Sequence, residues 1–383
     1  MTVVFIAAGL YHHISELTDA LFQKYGSDFH FFATANQALD SVVIMGHESD
    51  MRSRPYYMNI NDNPQANREA TKWCIDADVC IIGCGNCDDY IKLRMKTNKL
   101  TFKLKERIFK RGISPTAKAY YDKKINEYFR PYIDNNLFYL CMGHYAAHDL
   151  YSIGVPQHKL IKWGYFVYKS EFTERTYTQE ISLLWAGRFI PEKRPEAALL
   201  ALKTLLNQDI KAYLHYIGYG PEKERIMKYV YESNLNQYVC FHGEKTEWEV
   251  RKMMRESNWF LFTSTGWEGW GVVLSEAMLE GMICLATRCA GSSKELIVDN
   301  YNGILLNSDL SDISEKVLSL ANKGFKYCKD LGTNAKRYME EEFDPANSAN
   351  RLMALIEHFY NYDYSTPFKK GICSLARIND YDE

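Results

Sequence analysis

Two successive runs of apolar strand and amphipathic helix set what this chain can become. In the first run, residues 3–7, 29–33 and 79–82 are short apolar stretches. Between the first two, Ile14, Leu17, Leu21 and Phe22 line one face of a helix. The second run is more regular, with strands expected at 181–186, 212–217, 238–241, 259–262, 283–286 and 304–306. Helices are expected from about Pro195, after GYGPE, after HGEKTE, after TGWEGWG and after RCAGSSK, and two more fill roughly 309–341. A strand that is apolar along its whole length needs cover on both faces. The pattern therefore predicts parallel sheets with helices on each side, an α/β fold. At 383 residues the chain exceeds what one core usually holds, and each run is long enough for a doubly wound domain. The polar, aperiodic stretch 166–180 is the expected linker, which gives domains 1–168 and 169–344. A last helix is expected at 345–362, after the second sheet is complete, and 363–383 reads as a loosely held tail.

Composition narrows the class. Apolar residues make up 46% and charged residues 25%, which is ordinary for a folded globular chain. The net charge of −2 gives no argument for nucleic acid as a partner. Ten cysteines are scattered; Cys84 and Cys87 form one C-x-x-C, with no second pair at zinc-ribbon spacing. Reduced thiols in a cytoplasmic protein fit this usage, and no metal site is expected. The start, MTVVFIAAGLYHH, lacks a basic leader and reads as a first strand. No stretch approaches the roughly 18 apolar residues of a membrane span.

In doubly wound sheets, ligands bind beyond the carboxyl ends of the strands. The loops at those ends carry the unusual residues. TGWEGWGVVLSEAMLEG places Glu268 and Glu276 eight residues apart, with Gly269, Trp270 and Gly271 between them and Val272 opening a helix. At about 1.5 Å per helical residue that spacing spans roughly 12 Å, enough to grip two sugars of one extended ligand. The amide groups of the helix start suit a phosphate between them. A sugar nucleotide has this layout. Earlier, Gly187 and Arg188 close a strand and Lys193 follows (GRFIPEK). Two cations at such an end can clamp a diphosphate, Arg as a fork and Lys as a point charge. Gly218 ends the next strand in GYGPE.

The first domain is less explicit. Gly9 separates a strand from a helix that begins with His12 and His13, and His144 lies in CMGHYAAHD. These are the candidate acceptor-side residues. GCGNC at 83–87 lacks a full dinucleotide fingerprint. Segment 92–111, from Lys92 to Arg111, holds nine basic residues and one acid, with apolar residues interleaved. It reads either as a basic amphipathic surface for an anionic membrane or as a solvated helix face.

In order, GRFIPEK, IGYGPE, FHG, the E-x7-E segment and AGSSKELI resemble the retaining glycosyltransferases of the GT-B fold, family 4 type (glycosyl transferases group 1), most closely over about 181–306. GLYHHISEL and LIKWGYF resemble the amino-terminal half of enzymes that build capsule or O-antigen chains; Ala8-Gly9 stands where the family often has a glycine pair. The resemblance implies two Rossmann-like domains facing a cleft, with helix 345–362 crossing back to the first. It implies that Arg188 and Lys193 hold the donor diphosphate, Glu268 the hexose and Glu276 the ribose, with backbone at Gly269 to Val272 near sugar and phosphate. It further implies transfer of a hexose from a nucleotide diphosphate sugar, UDP-linked, to a hydroxyl of a growing surface polysaccharide, with retention and with neither metal nor cofactor. The acceptor would be a glycan, lipid-linked if 92–111 touches the inner face of the cytoplasmic membrane. Rival readings are an epimerase or hydrolase on the same fold, a nicotinamide-dependent oxidoreductase and a non-catalytic sugar-binding partner.

Overall fold

A computed structural model describes residues 1–35, 51–84, 87–110, 115–168, 175 and 177–378. Gly85 and Asn86 of GCGNC, Arg111 and much of the expected linker lie outside the described residues. Two compact units form, one of 1–168 with 342–383 and one of 169–341.

The first unit holds seven strands: β1 (Val3–Ala7), β2 (Phe29–Ala33), β3 (Tyr57–Asn59), β4 (Val79–Ile82), β5 (Thr101–Lys105), β6 (Leu137–Met142) and β7 (Leu160–Trp163). They pair in parallel in the order β3-β2-β1-β4-β5-β6-β7. Helices α1 (His12–Tyr25), α2 (Pro64–Asp76), α3 (Asp88–Met95), α4 (Pro115–Tyr128) and α5 (Ala146–Ser152) make the crossovers. β1, β4 and β6 are buried along their whole length, as cover on both faces requires. The order reverses between β1 and β4, so the loops after these strands frame the crevice where such sheets take ligands.

Segment 92–111 is not one amphipathic surface. Its start ends α3, its middle is the buried strand β5, and three of its cations are internal: Arg94, Lys103 and Arg107. Arg94 is fully buried and donates to Thr101 Oγ1 and to the carbonyls of Cys74, Ile75, Ala77, Asp78 and Leu100. Lys103 donates to the Gly83 carbonyl at 2.7 Å and faces Asp88 at 3.4 Å. Lys92 pairs with Glu127 at 2.7 Å. Charges that are spent on carbonyls and carboxylates inside the fold are not presented to a membrane, so the segment is not one continuous lipid-facing surface; Lys96 and Lys99 are the cations it leaves exposed among the described residues. The sequence counts charge but not burial.

The second unit repeats the plan with β8 (Ile181–Ala186), β9 (Ala212–Ile217), β10 (Val239–Phe241), β11 (Trp259–Phe262), β12 (Ile283–Thr287) and β13 (Ile304–Leu306). All pair in parallel, in the order β10-β9-β8-β11-β12-β13. Its helices are α6 (Glu196–Leu206), α7 (Lys223–Glu232), α8 (Glu247–Glu256), α9 (Val272–Leu279), α10 (Ser293–Leu296), α11 (Ile313–Asn322) and α12 (Gly324–Glu342). α8 opens on a capping box between Thr246 and Glu249. Trp185, Phe189, Tyr216 and Leu214 pack with the apolar face of α6 in the core. Here the order reverses between β8 and β11.

α13 (Pro345–Tyr360) returns to the first unit. Asp344 caps it, accepting from Asn347 N at 2.8 Å, with Pro345 in the first turn. Glu357 pairs with Lys24 of α1 at 3.1 Å, and Phe359 packs on Phe138 of β6. The tail is held more firmly than its composition suggests. Lys162 N donates to Ser374 O, Ala376 N to Leu160 O, and Ile372 and Cys373 are buried. The edge of β7 offers unpaired backbone groups, and the tail satisfies them.

Candidate functional site

The reversal between β8 and β11 gathers most of the expected donor-side residues. After β8, Gly187 N donates to Ile217 O and Phe189 N to Tyr219 O, while Gly218 N donates to Gly243 O. The loops after β8, β9 and β10 are thus joined through backbone. Gly218 makes this possible: its φ is +124°, and a Cβ there would lie 2.0 Å from the Gly187 carbonyl oxygen. Arg188 projects from this join; its side chain is exposed and has no ion-pair partner among the described residues. Lys193 closes a single 3-10 turn, Pro191–Lys193.

A layer behind Lys193 fixes its position. Trp185 Nε1 donates to Thr263 Oγ1 at 3.0 Å, and Thr263 Oγ1 donates to the Lys193 carbonyl at 2.7 Å. Arg194, in the left-handed region, donates to the carbonyls of Thr263, Ser264 and Ser308. The Lys193 ammonium then forms an ion pair with Glu268. Ser264 Oγ donates to the same Glu268 oxygen at 3.1 Å. Both partners of the pair are largely covered, with side-chain exposures of 21% and 17%. The structure thus brings together a cation and a carboxylate 75 residues apart in sequence.

The Gly-rich turn is fastened from its other side. Gly291 N donates to Glu268 O at 3.1 Å, and Ser292 Oγ donates to Trp270 O at 2.6 Å. A Cβ on Gly291 would lie 1.7 Å from the Gly269 carbonyl oxygen. The Trp270 ring turns inward: it is 1% exposed and its Nε1 donates to Ser275 Oγ. Only the backbone of Trp270 is therefore offered at the turn. Gly271 is the cap of α9, and Val272 opens it. Glu276 lies a turn further on and is buried at 6% exposure, with a carboxylate oxygen within 4.8 Å of one from Glu247 of α8.

The first unit presents rings. Gly9 is buried between β1 and α1. His12 and His13 stand together at the start of α1 with ring centroids 5.2 Å apart. His13 also meets Tyr165 at 4.3 Å, and Tyr165 donates to Glu106 at 3.2 Å. Burial, with His12 as a second cause, holds the His13 imidazole well below its ordinary pKa, so it is neutral near pH 7. His144 follows β6 and packs on Tyr145. Three strand spacings separate β1 from β6, roughly 14 Å of sheet, so the four acceptor-side residues do not form one cluster through adjacent strands.

Several residues that shape the site escaped the sequence reading: Arg194, Ser264, Glu247, Gly291 and Ser292. Gly291 and Ser292 sit in AGSSKELI, where the motif was visible but its partner loop was not. Arg194 and Glu247 carry no sequence signal at all.

A parallel-sheet unit whose strand-end loops are joined through glycine and flanked by cations and carboxylates, in one chain with another parallel-sheet unit that takes back the last helix, fits the GT-B class. The likeness extends over nearly the whole chain. HepE of Anabaena, solved in complex with UDP, has a TM-score of 0.71 at 14% identity and covers 94% of this chain and 100% of its own. A mutant of S. aureus TarM in complex with Fondaparinux, alpha-GlcNAc-glycerol and UDP has a TM-score of 0.67 at 14% identity, with the same coverage. Residues 169–338 match the sequence profile of Glycosyl transferases group 1, and the chain carries a domain of that family. Poly(ribitol-phosphate) alpha-N-acetylglucosaminyltransferase of Staphylococcus aureus is 26% identical over 44% of this chain and 34% of its own. N-acetyl-alpha-D-glucosaminyl L-malate synthase of Bacillus anthracis is 23% identical over 65% of this chain and 66% of its own. The chain thus spans between about a third and two thirds of the length of these curated relatives.

Proposed function

We propose that the protein is a glycosyltransferase that moves a hexose from a UDP-linked sugar to a hydroxyl of a growing bacterial glycan, with retention of anomeric configuration. The observation that carries this is the Lys193–Glu268 ion pair, together with the exposed Arg188 on the same loop as Lys193, set at the strand-order reversal of the group 1 domain. HepE and TarM, solved with UDP, support the choice of base.

The costly event is rupture of the bond between the anomeric carbon and the donor phosphate. Negative charge then grows on the leaving diphosphate and positive charge on the sugar ring. Arg188, Lys193 and the amide groups at the start of α9 oppose the first. Glu268 holds the hexose hydroxyls and Glu276 the ribose. Backbone at Gly187, Gly218, Gly269, Trp270, Gly271 and Val272 approaches the ligand closely. The bond from the acceptor oxygen to the anomeric carbon forms on the face the diphosphate leaves, and the acceptor proton passes to a phosphate oxygen. No side chain need act as nucleophile, and the cations do the work a divalent ion does elsewhere. Gly9, His12, His13 and His144 are the first unit's contribution to the acceptor. A cytoplasmic setting goes with this reading, since all ten cysteines are free thiols. No helix among the described residues is long and apolar enough to cross a membrane.

The test is a panel of nucleotide sugars, scored first by thermal shift and then by turnover with and without a glycan acceptor. Stabilisation by a UDP-sugar and acceptor-dependent release of UDP are expected. Release that is equally fast without acceptor identifies a hydrolase, and conversion of the sugar with no release identifies an epimerase; either result overturns the transferase reading.

A further inference from the structure

One cluster in the second unit serves none of the roles above. Cys240 of β10 pairs directly with His215 of β9 in the parallel register. His242 follows two residues after Cys240, and residues two apart in extended chain share a face. The three side chains are thereby set on one side of the sheet's outer edge, where β10 is the last strand. Their ligand atoms all lie within 4.8 Å of one another. His215 Nδ1 and His242 Nε2 are 3.0 Å apart. Cys240 is exposed, whereas the other nine cysteines are buried or half-buried.

We propose that His215, Cys240 and His242 bind a divalent ion of borderline softness, zinc first, with a water completing the tetrahedron. Two imidazole nitrogens and a thiolate are a set that suits zinc and disfavours magnesium or calcium. Bonds of about 2.05 Å to nitrogen and 2.3 Å to sulfur, at tetrahedral angles, put the two nitrogens roughly 3.3 Å apart and nitrogen and sulfur roughly 3.5 Å apart. The observed nitrogen separation needs to open by only a few tenths of an ångström. Both histidines must be neutral to ligate, so metal and proton compete for them. The charges near them oppose one another: Glu256 acts on His215 and Lys245 on His242. The proton balance is simple. The thiol of Cys240 gives one proton to solvent; the imidazole that donates in the His215–His242 hydrogen bond moves its proton from the ligating nitrogen to the outer one by exchange with solvent, the other already carries its proton outside, and the hydrogen bond is exchanged for two metal bonds.

The ion would staple a three-residue edge strand to its neighbour. His242 N donates to Tyr216 O, and Gly243 O accepts from Gly218 N, so the staple lies one residue from the joined loops of the donor side. This inference stands apart from the proposed reaction, because it concerns a structural ion outside the reacting centre.

The experiment uses the full chain after chelator treatment, titrated with zinc against a chromophoric competitor and, in parallel, with cobalt(II). One zinc per chain is expected, together with a thiolate-to-cobalt charge-transfer band and tetrahedral d–d bands. Cys240→Ser should abolish the charge-transfer band, and His242→Gln should weaken zinc by roughly 100-fold or more, at or beyond the upper end of what outer-shell changes cost. The thermal midpoints of both variants in chelator should match that of the wild type, which separates lost ligation from lost folding. A charge-transfer band that persists in Cys240→Ser, or equal zinc affinity in wild type and both variants, overturns the site.

Discussion

The strand-end loops of the two units solve different problems with different materials. In the second unit they are tied to one another by backbone: Gly187 to Ile217, Gly218 to Gly243, Gly291 to Glu268. The charged side chains are few and braced, with Lys193 paired to Glu268 above a layer of Trp185, Thr263 and Arg194. In the first unit the corresponding loops present rings, with His12, His13 and Tyr165 in contact. A diphosphate has the same shape whatever sugar it carries, so a site for it can be built from backbone that only glycine permits. An acceptor varies in shape, and side chains on a rigid frame are the natural way to meet it.

The sharpest way to break this contrast is to remove the cations. Arg188→Ala or Lys193→Ala should each cut turnover by on the order of 100- to 1000-fold, the range for losing one preorganised donor to a developing anion. Steady-state UDP release measures this, and near-normal turnover in either variant removes that residue from the mechanism. Next comes the backbone join. Gly218→Ala introduces a Cβ against the Gly187 carbonyl at a positive φ, and a loss of about 3 kcal/mol in urea unfolding is expected. Gly187→Ala should be much milder, because its Cβ would meet only the Trp185 ring at 3.5 Å.

A smaller effect probes the ion pair itself. In a double-mutant cycle on stability, Lys193→Ala and Glu268→Gln should couple by about 1 kcal/mol, since each single change leaves a largely covered partner behind. Additive losses would mean that the pair contributes no net interaction in the free protein. The first unit supplies the smallest effect. His13 has a depressed pKa in the fold and an ordinary one, about 6.5, when unfolded. The unfolded chain therefore takes up the proton first, and stability falls as pH drops below about 6.5. Thermal midpoints between pH 7.5 and 5.5 should decline less steeply in His13→Phe than in the wild type.

What was legible follows the same division. Strands β1, β2, β4, β8, β9, β11 and β13 match the expected spans residue for residue, because continuous apolar runs between turn signals leave little choice. β10 and β12 differ by one residue at an end. In the second unit the glycines and charges sit in order at strand ends, so the candidate site could be drawn from sequence. The pairing of Lys193 with Glu268, and of Gly291 with Gly269, could not, since only the fold brings such distant loops into contact. In the first unit the failure was one of burial: nine cations in 92–111 look like a surface until Arg94 is seen bonded to five carbonyls. The anchored tail was missed for a related reason, as the unpaired edge of β7 that holds it is not a property of the tail's own sequence.

The central claim is that the second unit's cations hold the nucleotide diphosphate and the first unit's histidines do not. Calorimetric titration of UDP into three forms of the full chain tests it: wild type, Arg188→Ala with Lys193→Ala, and His12→Ala with His13→Ala. Two lost charge-assisted contacts at about 1.5–3 kcal/mol each predict a weakening of roughly 100-fold or more in the first double variant, and none in the second. Wild-type affinity in the cation variant, or a comparable loss in the histidine variant, would contradict the account.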